Sequence, residues 1–274
     1  MSEKFSVLMS IYYKEKPEYA RQCFESLLNQ KVQASEWVIV EDGKLTDDLY
    51  ALLDEYEQRY PGLIKRVPLV KNRGLGLALR EGVLHCTNEL IARMDTDDIS
   101  RTDRFEKQLL MFDNNPELDI CGSHIKEFCI SPDTITSIRK VPLDDADIKK
   151  YQKRRDGFNH VTVMFKKAAV LKAGNYQHAL LMEDTLLWVN MFLSGAICAN
   201  IDDYLVYVRT GEDMFERRGG LTYFKKYKEG RKLIYNTGYI SWWDYWITLT
   251  IQFVVAIVPN KVRRIIFQRM LRNS

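Results

Sequence analysis

Residues 90–98 read LIARMDTDD, an apolar, β-rich run that ends in three carboxylates. Three earlier runs share this apolar, β-rich character: FSVLMSIY at 5–12, WVIVE at 37–41 and LIKRVP at 63–68. A helical pattern follows each of those runs, at 18–29, 47–60 and 74–84. Because strand and helix alternate through about 110 residues, the sequence predicts an α/β fold with a doubly wound, mostly parallel sheet.

The second half of the chain has a more mixed pattern. It predicts helices at 104–114 and 185–193, and strands near 120–130, 161–165, 196–201 and 205–208. A strongly basic run, KKYQKRR, occupies 149–155. We expect this half to complete the globular part of the protein.

Charge is distributed unevenly along the chain. The net charge is only +3, but residues 216–274 hold twelve basic and three acidic side chains, and 28 basic and 34 acidic ones precede them. We therefore divide the chain into a globular part, 1–215, and a basic, aromatic tail, 216–274, which we expect to be helical. The longest apolar stretch of the tail, 245–258, is shorter than the roughly 20 residues that cross a bilayer.

Cysteine content and the N-terminus bear on the cellular setting. The five cysteines include no CxxC pair, and the N-terminus shows no apolar leader segment. Both features indicate a reduced, cytosolic compartment. No recognised nucleic-acid-binding module accompanies the basic tail, so we expect no nucleic-acid partner.

The carboxylates of Asp95, Asp97 and Asp98 are the most informative polar cluster. Like charges this close repel one another unless a cation neutralises them, and oxygen ligands suit Mg²⁺ or Mn²⁺. The alternative is a loop whose aspartates cap a helix that starts near Arg101. The position at the end of the fourth strand favours a metal, because ligands of such sheets bind beyond the carboxyl ends of the strands.

Two further candidates follow earlier strands. Asp42, in VIVEDG, can accept hydrogen bonds from a nucleobase or ribose, although an Asp-Gly turn explains it equally well. Arg73, in KNRGLG, can offer a planar cation to a base or phosphate, and helix capping is the alternative for that loop. Tyr12, Asp42 and Asp95 all follow strand ends, so we expect their loops to converge.

Asp184 and His160 are the candidates in the second half. Asp184 precedes an apolar helix, where a carboxylate can act as general base or simply as the helix N-cap. His160 precedes a predicted strand and either shapes an acceptor pocket or is a hydrogen-bonded core histidine.

In order, the stretches SVLMSIYYKE, VIVEDG, KNRGLGLALREG, LIARMDTDD, FNHVTVMFKKAAVLKAGNY and MEDTLLW resemble glycosyltransferase family 2, whose fold is GT-A. The resemblance covers residues 5 to about 210 and implies a nucleotide-sugar-binding half, 1–100, and an acceptor half, 101–215. It implies these roles: uridine contacts for Ser10, Tyr12, Asp42 and Arg73, ribose and diphosphate contacts for Asp95, the metal for Asp97, a metal or sugar contact for Asp98, and the catalytic base for Asp184.

The reaction implied by the resemblance is a single displacement at the anomeric carbon. It would convert an α-linked UDP-sugar into a β-linked product with inversion, with Mn²⁺ or Mg²⁺ as Lewis acid at the departing diphosphate. The sequence departs from the family in two places. The segment VRTGED at 208–213 lacks the histidine that many relatives place there, which leaves the second metal ligand open, and Glu41 stands where Asp is more common.

Cations near that segment offer a substitute for the missing histidine. Arg209, Arg217 and Arg218 can hold a diphosphate, or they can face solvent or lipid. The tail resembles those of bacterial transferases that build O-antigen, capsule or exopolysaccharide. That likeness implies transfer of glucose or galactose to an undecaprenyl-diphosphate-linked sugar at the cytoplasmic face of the inner membrane.

The composition of the tail fits peripheral binding to an anionic membrane. It supplies interface-preferring aromatics and cations: Trp242, Trp243, Tyr245, Trp246, Phe253, Lys261, Arg263, Arg264, Arg269 and Arg272. The alternative is a helix that packs on the catalytic domain with a basic solvent face.

Two other functions remain open from the residues alone. One is an aspartate-dependent phosphatase with Asp95 as nucleophile, although such enzymes usually carry this motif on the first strand rather than the fourth. The other is a non-catalytic sugar-nucleotide-binding protein, against which the presence of Asp184 beside the donor motifs argues.

Overall fold

The computed structural model describes residues 4–211 and 219–258. Its strands are β1 Phe5–Ile11, β2 Glu36–Glu41, β3 Ile64–Pro68, β4 Leu90–Arg93, β5 Ile99–Ser100, β6 Leu118–Phe128, β7 Ile135–Arg139, β8 Met164–Lys166 and β9 Ile197–Arg209. Its helices are α1 Pro17–Leu28, α2 Asp47–Arg59, α3 Leu75–His85, α4 Arg104–Asn114, α5 Asp145–Gln152, α6 Lys167–Lys172, α7 Glu183–Leu193, α8 Gly220–Asn236 and α9 Trp242–Ile257.

The first four strands form the parallel half of one sheet in the order β3-β2-β1-β4. Apolar residues of α1, α2 and α4 are buried on one face of the sheet, and those of α3 on the other. Strands covered on both faces need apolar side chains at successive positions, which is why six of the seven residues of β1 are buried. The predicted α/β, doubly wound arrangement is confirmed here, and it brings the ends of these strands to one edge.

The second half of the sheet is mixed, continuing β4-β8-β6-β9-β5 with β7 on β6. Strand β8 runs antiparallel to both neighbours, whereas β6 and β9 are parallel. The prediction of two strands at 196–201 and 205–208 was wrong, because β9 is continuous. Its pairing with β6 shifts register between Ile201 and Tyr204, so the polar residues between them lie in an irregularity rather than a loop.

A short 3₁₀ turn, His160–Thr162, precedes β8 where the sequence predicted a strand from 161. Sequence patterns also missed β5, β7, α5 and α6. These elements are short, at most eight residues each, and their apolar residues are too few to show a clear period.

The C-terminal helices α8 and α9 pack against each other and against α7. Ile234, Tyr245 and Leu249 share a buried apolar cluster with Leu186 and Val189 of α7. The expected helices are therefore present, and one face of the pair is attached to the globular part. Within the described ranges, no helix has the length and apolar character to cross a membrane. The boundary proposed at 215, Arg217, Arg218 and the cations from Lys261 onward lie outside the described residues.

Candidate active site

A cleft of about 550 Å³ opens beyond the end of β4. Its lining includes six residues singled out from the sequence: Asp95, Asp97, Asp98, His160, Asp184 and Arg209. The tertiary structure therefore joins the carboxylate cluster that follows β4 to the first turn of α7, almost ninety positions later in the chain. The remaining candidates, Ser10, Tyr12, Asp42 and Arg73, are not part of this lining.

The carboxylate cluster occupies the turn after β4. One oxygen from each of Asp95, Asp97 and Asp98 can be chosen so that all lie within 4.8 Å of one another. Helix α4 begins only at Arg104, after Asp103, so the three carboxylates do not cap it. The helix-capping alternative for this cluster was wrong.

Electrostatic repulsion is strong within the cluster. Burial, followed by the charges of Asp95 and Glu15, raises the pKa of Asp97 to about 7. Burial and the charges of Asp97 and Asp95 raise the pKa of Asp98 well above its ordinary value. An all-oxygen donor set whose members repel one another fits a hard divalent cation such as Mg²⁺ or Mn²⁺.

Arg93 is a functional candidate that the sequence reasoning missed. Its side chain is 2% exposed, and Nη1 donates a hydrogen bond to Asp95 Oδ2 over 2.6 Å. The pairing orients the Asp95 carboxylate and offsets part of the negative charge of the cluster. A signal was available, because an arginine inside the apolar run LIARM must be paired if that run forms a central strand.

Arg209 connects the end of β9 to the same turn. Its backbone N–H donates to Asp98 Oδ1 over 2.7 Å, and its Nε donates to the Asp97 carbonyl over 3.1 Å. The guanidinium carbon lies 3.9 Å from the Tyr19 ring centroid. Arg209 therefore links the end of β9 to the carboxylate turn and holds that turn in place.

Asp184 lies in the first turn of α7, which begins at Glu183. The N-cap position belongs to Met182, so the interpretation of Asp184 as N-cap was wrong. Asp184 Oδ1 accepts the Thr185 backbone N–H over 2.8 Å, and the side chain remains 24% exposed to the cleft. Burial, and next the negative charge of Asp156, raise the pKa of Asp184 to about 7.

Asp156 is the second residue that sequence reasoning missed. It lines the cleft, and its carboxylate accepts hydrogen bonds from the Thr185 hydroxyl and, over 3.2 Å, from Gln152 Nε2. No local pattern distinguishes it, because it simply follows the basic run at 149–155. Only its contact with α7 places it beside Asp184.

His160 lines the cleft with an uncharged side chain. Its Nε2 shares a hydrogen bond of 2.8 Å with the Tyr176 hydroxyl. Burial, followed by the charge of Arg93, lowers the His160 pKa well below its ordinary value. The 3.9 Å between His160 Nδ1 and Asp184 Oδ2 is therefore neither a hydrogen bond nor, at neutral pH, an ion pair.

Asp42 organises the loop that leads into α3. Its two carboxylate oxygens accept the backbone N–H groups of Arg73, over 2.7 Å, and Gly74, over 3.0 Å, and the residue is 3% exposed. Gly43 has φ +85°, and a Cβ there would lie 2.6 Å from the Asn72 nitrogen. The Asp-Gly turn and the loop at 71–74 therefore hold each other in position.

The loop candidates of the first half lie beside the cleft lining rather than in it. Arg73 lines a separate cavity of about 210 Å³, together with Lys226 of α8. Tyr12 is 39% exposed, one residue after β1 ends. Gly76, the second glycine of KNRGLG, lies against α7, since a Cβ there would be 2.4 Å from Glu183 Cγ.

Comparison with known proteins gives strong matches. The model of the family "Glycosyl transferase family 2" matches residues 6–176. An uncharacterized glycosyltransferase of Haemophilus influenzae is 42% identical over 98% of this chain and 99% of its own length. The amylovoran biosynthesis glycosyltransferase AmsE of Erwinia amylovora is 38% identical, over 97% and 98%. An Escherichia coli UDP-Gal:alpha-D-GlcNAc-diphosphoundecaprenol beta-1,3-galactosyltransferase is 36% identical, over 98% and 97%.

Solved structures share the fold at low sequence identity. S. aureus TarS 1-349 in complex with UDP-GlcNAc superposes with a TM-score of 0.62 at 17% identity, over 97% of this chain and 71% of that one. The mannosyltransferase PcManGT from Pyrobaculum calidifontis, in complex with GDP-Man and Mn²⁺, gives 0.65 at 12%, over 96% and 72%. The fold is thus of the GT-A type. Together with the sequence matches, this favours a glycosyltransferase over the phosphatase and the non-catalytic alternatives.

Proposed function

Because this chain belongs to glycosyltransferase family 2, whose members invert the anomeric centre, we propose that it transfers a hexose from a UDP-sugar to a sugar linked to undecaprenyl diphosphate. The relative named for UDP-Gal and an α-D-GlcNAc-diphosphoundecaprenol acceptor, similar over almost the whole chain, supports this choice. Galactose or glucose is the favoured sugar, and the product would be a β-linked intermediate of a bacterial surface polysaccharide such as O-antigen.

One observation carries the proposal: the carboxylate cluster after β4 and the carboxylate of Asp184 line the same cleft. Inversion by single displacement needs a leaving group held on one side of the anomeric carbon and an acceptor activated on the other. The cleft offers a separate set of carboxylates for each task.

The donor side would be built around Asp97. Asp97 would hold Mn²⁺ or Mg²⁺, Asp98 would share the metal or sugar contact, and Asp95, oriented by Arg93, would contact ribose and diphosphate. When bound, the ion supplies positive charge that stabilises the departing diphosphate. Ser10, Tyr12, Asp42 and Arg73 would surround the uridine, which makes residues 1–100 the donor half.

On the acceptor side, Asp184 would be the general base. A carboxylate with a pKa near 7 is largely ionised just above neutrality and is basic enough to accept a hydroxyl proton as the new bond forms. His160, uncharged and held by Tyr176, would shape the pocket for the acceptor sugar in the half 101–215.

The C-terminal part would bind the anionic surface of the inner membrane on its cytoplasmic face. Helix α9 buries Tyr245 and Leu249 against the globular part but leaves Trp242, Trp243 and Trp246 exposed by 51%, 68% and 45%. Indole rings prefer the membrane interface, which supports peripheral attachment at the site of a lipid-linked acceptor.

The test is transfer with purified protein. A panel of nucleotide sugars would be incubated with GlcNAc-diphosphate on a lipid analogue and Mn²⁺, and products identified by mass spectrometry and proton NMR. We expect a single UDP-hexose to be used and the anomeric coupling to report a β-linkage. Transfer from no donor in the panel, or an α-linked product, would refute the proposal.

A further inference from the structure

The basic run at 149–155 has no role in the reaction described so far. A cavity of about 690 Å³ is lined by four of its basic side chains: Lys150, Lys153, Arg154 and Arg155. Two carboxylates, Asp147 and Asp244, also line it, and Arg154 Nε pairs with Asp244 over 2.6 Å. Within the described part of the chain, the other three cations form no ion pair. The cavity thus presents uncompensated positive charge.

The C-terminal helices and the turn between them hold this basic segment at three points. In addition to the Arg154–Asp244 pair, buried Arg231 of α8 donates a hydrogen bond to the Lys153 carbonyl. The Tyr239 hydroxyl donates to the Lys149 carbonyl over 2.6 Å. The segment is therefore anchored at two backbone carbonyls and at the Arg154 side chain, which leaves the ammonium groups of Lys150 and Lys153 available to a ligand.

The basic cavity adjoins the catalytic cleft at one residue. Arg155 lines both of them, and Asp156, the next residue, accepts the hydrogen bond from Thr185 beside Asp184. An anion bound at Arg155 would lie next to the pocket in which the acceptor hydroxyl must meet the base.

The helix that contributes Asp244 to the cavity also carries exposed indole rings. Asp244, which lines the cavity, belongs to the first turn of α9, and Trp242, Trp243 and Trp246 lie on the same part of that helix. The carboxylates of the cleft, the cations of the cavity and the exposed rings of α9 are therefore linked in that order, through Arg155 and then Asp244. A glycosyl diphosphate on a polyprenyl chain has its sugar, its anionic group and its apolar chain in the same order.

We propose that the cavity lined by Lys150, Lys153 and Arg155 is the subsite for the diphosphate of the acceptor. This inference rests on the proposed function, because it supposes a lipid-diphosphate acceptor. Ammonium and guanidinium groups bind phosphate oxygens through charge-assisted hydrogen bonds, and the guanidinium can bind two oxygens at once. Bound there, the diphosphate would fix the register of the acceptor sugar against Asp184.

The test compares acceptor and donor kinetics without membranes. GlcNAc-diphosphate on a short, soluble alkyl chain would serve as acceptor for the wild type, Lys150→Ala/Lys153→Ala, Arg155→Gln and Arg155→Lys. We expect the acceptor KM to rise roughly tenfold or more in Lys150→Ala/Lys153→Ala and in Arg155→Gln, because the loss of one charged hydrogen bond has about this effect on binding. The acceptor KM should rise less in Arg155→Lys, which keeps the positive charge. The donor KM and the rate of the slow hydrolysis of UDP-sugar by water should change less than about twofold, because the variants lose contacts to the acceptor and none to the donor.

Two controls sharpen the result. Lys172→Ala, an exposed lysine of α6, should leave the acceptor KM unchanged. Farnesyl diphosphate should compete with the acceptor in the wild type and much less in the variants, whereas farnesol should not compete.

The outcomes separate the two proposals. If the wild type transfers to no diphosphate-linked sugar, the proposed function fails and the subsite fails with it. If transfer occurs but the variants keep the wild-type acceptor KM, or the donor KM rises equally, the subsite assignment alone is overturned. The same holds if the variants differ from the wild type only when acidic vesicles are present, since the cations would then bind lipid headgroups.

Discussion

The Thr185 hydroxyl donates a hydrogen bond to the carboxylate of Asp156. This contact holds a second negative charge beside Asp184 in the cleft. After burial, the charge of Asp156 is the main reason why the pKa of Asp184 rises to about 7. The relationship makes the pH dependence of transfer a direct test of Asp184 as general base.

A base works in its deprotonated form, so kcat should increase as pH rises through about 7. Asp156→Asn removes a negative charge that favours protonation of Asp184, and its pH–rate profile should move to lower pH. Profiles measured at saturating donor and acceptor would show the shift, with exposed Glu117→Gln as control. An unmoved midpoint in Asp156→Asn would contradict the coupling.

Removing the carboxylate of Asp184 should affect the rate more than donor binding. We expect Asp184→Asn to lower kcat by about 10² to 10⁴, the usual contribution of a general base, with a nearly unchanged donor KM. The neighbouring Glu183→Gln makes the same chemical change one residue away and should remain close to wild type. Equal losses in both variants would mean that α7, rather than the base, had been disturbed.

Metal dependence follows from the carboxylate cluster. Chelation with EDTA should abolish transfer, and Mn²⁺ or Mg²⁺ should restore it. Asp97→Asn should lower kcat by about two orders of magnitude or more, because a bound cation contributes several kcal/mol at a leaving diphosphate. Calorimetry should show that UDP binding depends on the ion in the wild type and in the exposed control Asp113→Asn, but not in Asp97→Asn. Full activity in EDTA would refute the metal assignment.

The packing of α3 on α7 predicts a stability effect at Gly76. Its Cβ in Gly76→Ala would lie 2.4 Å from Glu183 Cγ, and overpacking of this kind costs about 1–3 kcal/mol. Urea unfolding should show this loss. Adding Glu183→Ala should recover part of it, so that the double variant is more stable than the sum of the single changes predicts. Simple additivity would show that the clash is absent.

Membrane binding is best tested by substitution. Truncation near Gly220 would remove Ile234, Tyr245 and Leu249 from the apolar cluster with α7, so any loss of binding would be confounded by loss of stability. Trp242→Ser/Trp243→Ser/Trp246→Ser should instead lower the fraction sedimenting with anionic vesicles at least severalfold, relative to wild type, as interfacial aromatic area is lost. The control replaces exposed Val70, Leu84 and Leu110 by serine. Equal sedimentation of the tryptophan variant and wild type would rule out this face as the contact.

The first half of the fold was predictable to within about a residue at each strand. Apolar runs such as 5–12 end at polar or glycine residues, and burial on both faces of a parallel sheet requires such runs. The second half was harder. The polar residues Asp202 and Asp203 suggested a loop, whereas the register shift between β6 and β9 allows the strand to continue through them.

The site was predictable where its residues are neighbours in sequence. Asp95, Asp97 and Asp98 were recognised because adjacent carboxylates after a strand need a shared explanation. Asp156 offered no comparable signal, since its importance depends on a hydrogen bond to a residue 29 positions away.

The sequence by itself determined the alternation of strands and helices, the family and the residues that we propose for the donor chemistry, because periodicity and adjacent charges are properties of short segments. Only the tertiary structure decided that Arg93 supports Asp95, that Asp156 raises the pKa of Asp184, and that a basic run meets the cleft at Arg155. Burial and the fields of neighbouring charges change the chemistry of a side chain, and both depend on contacts between segments that are distant in the chain.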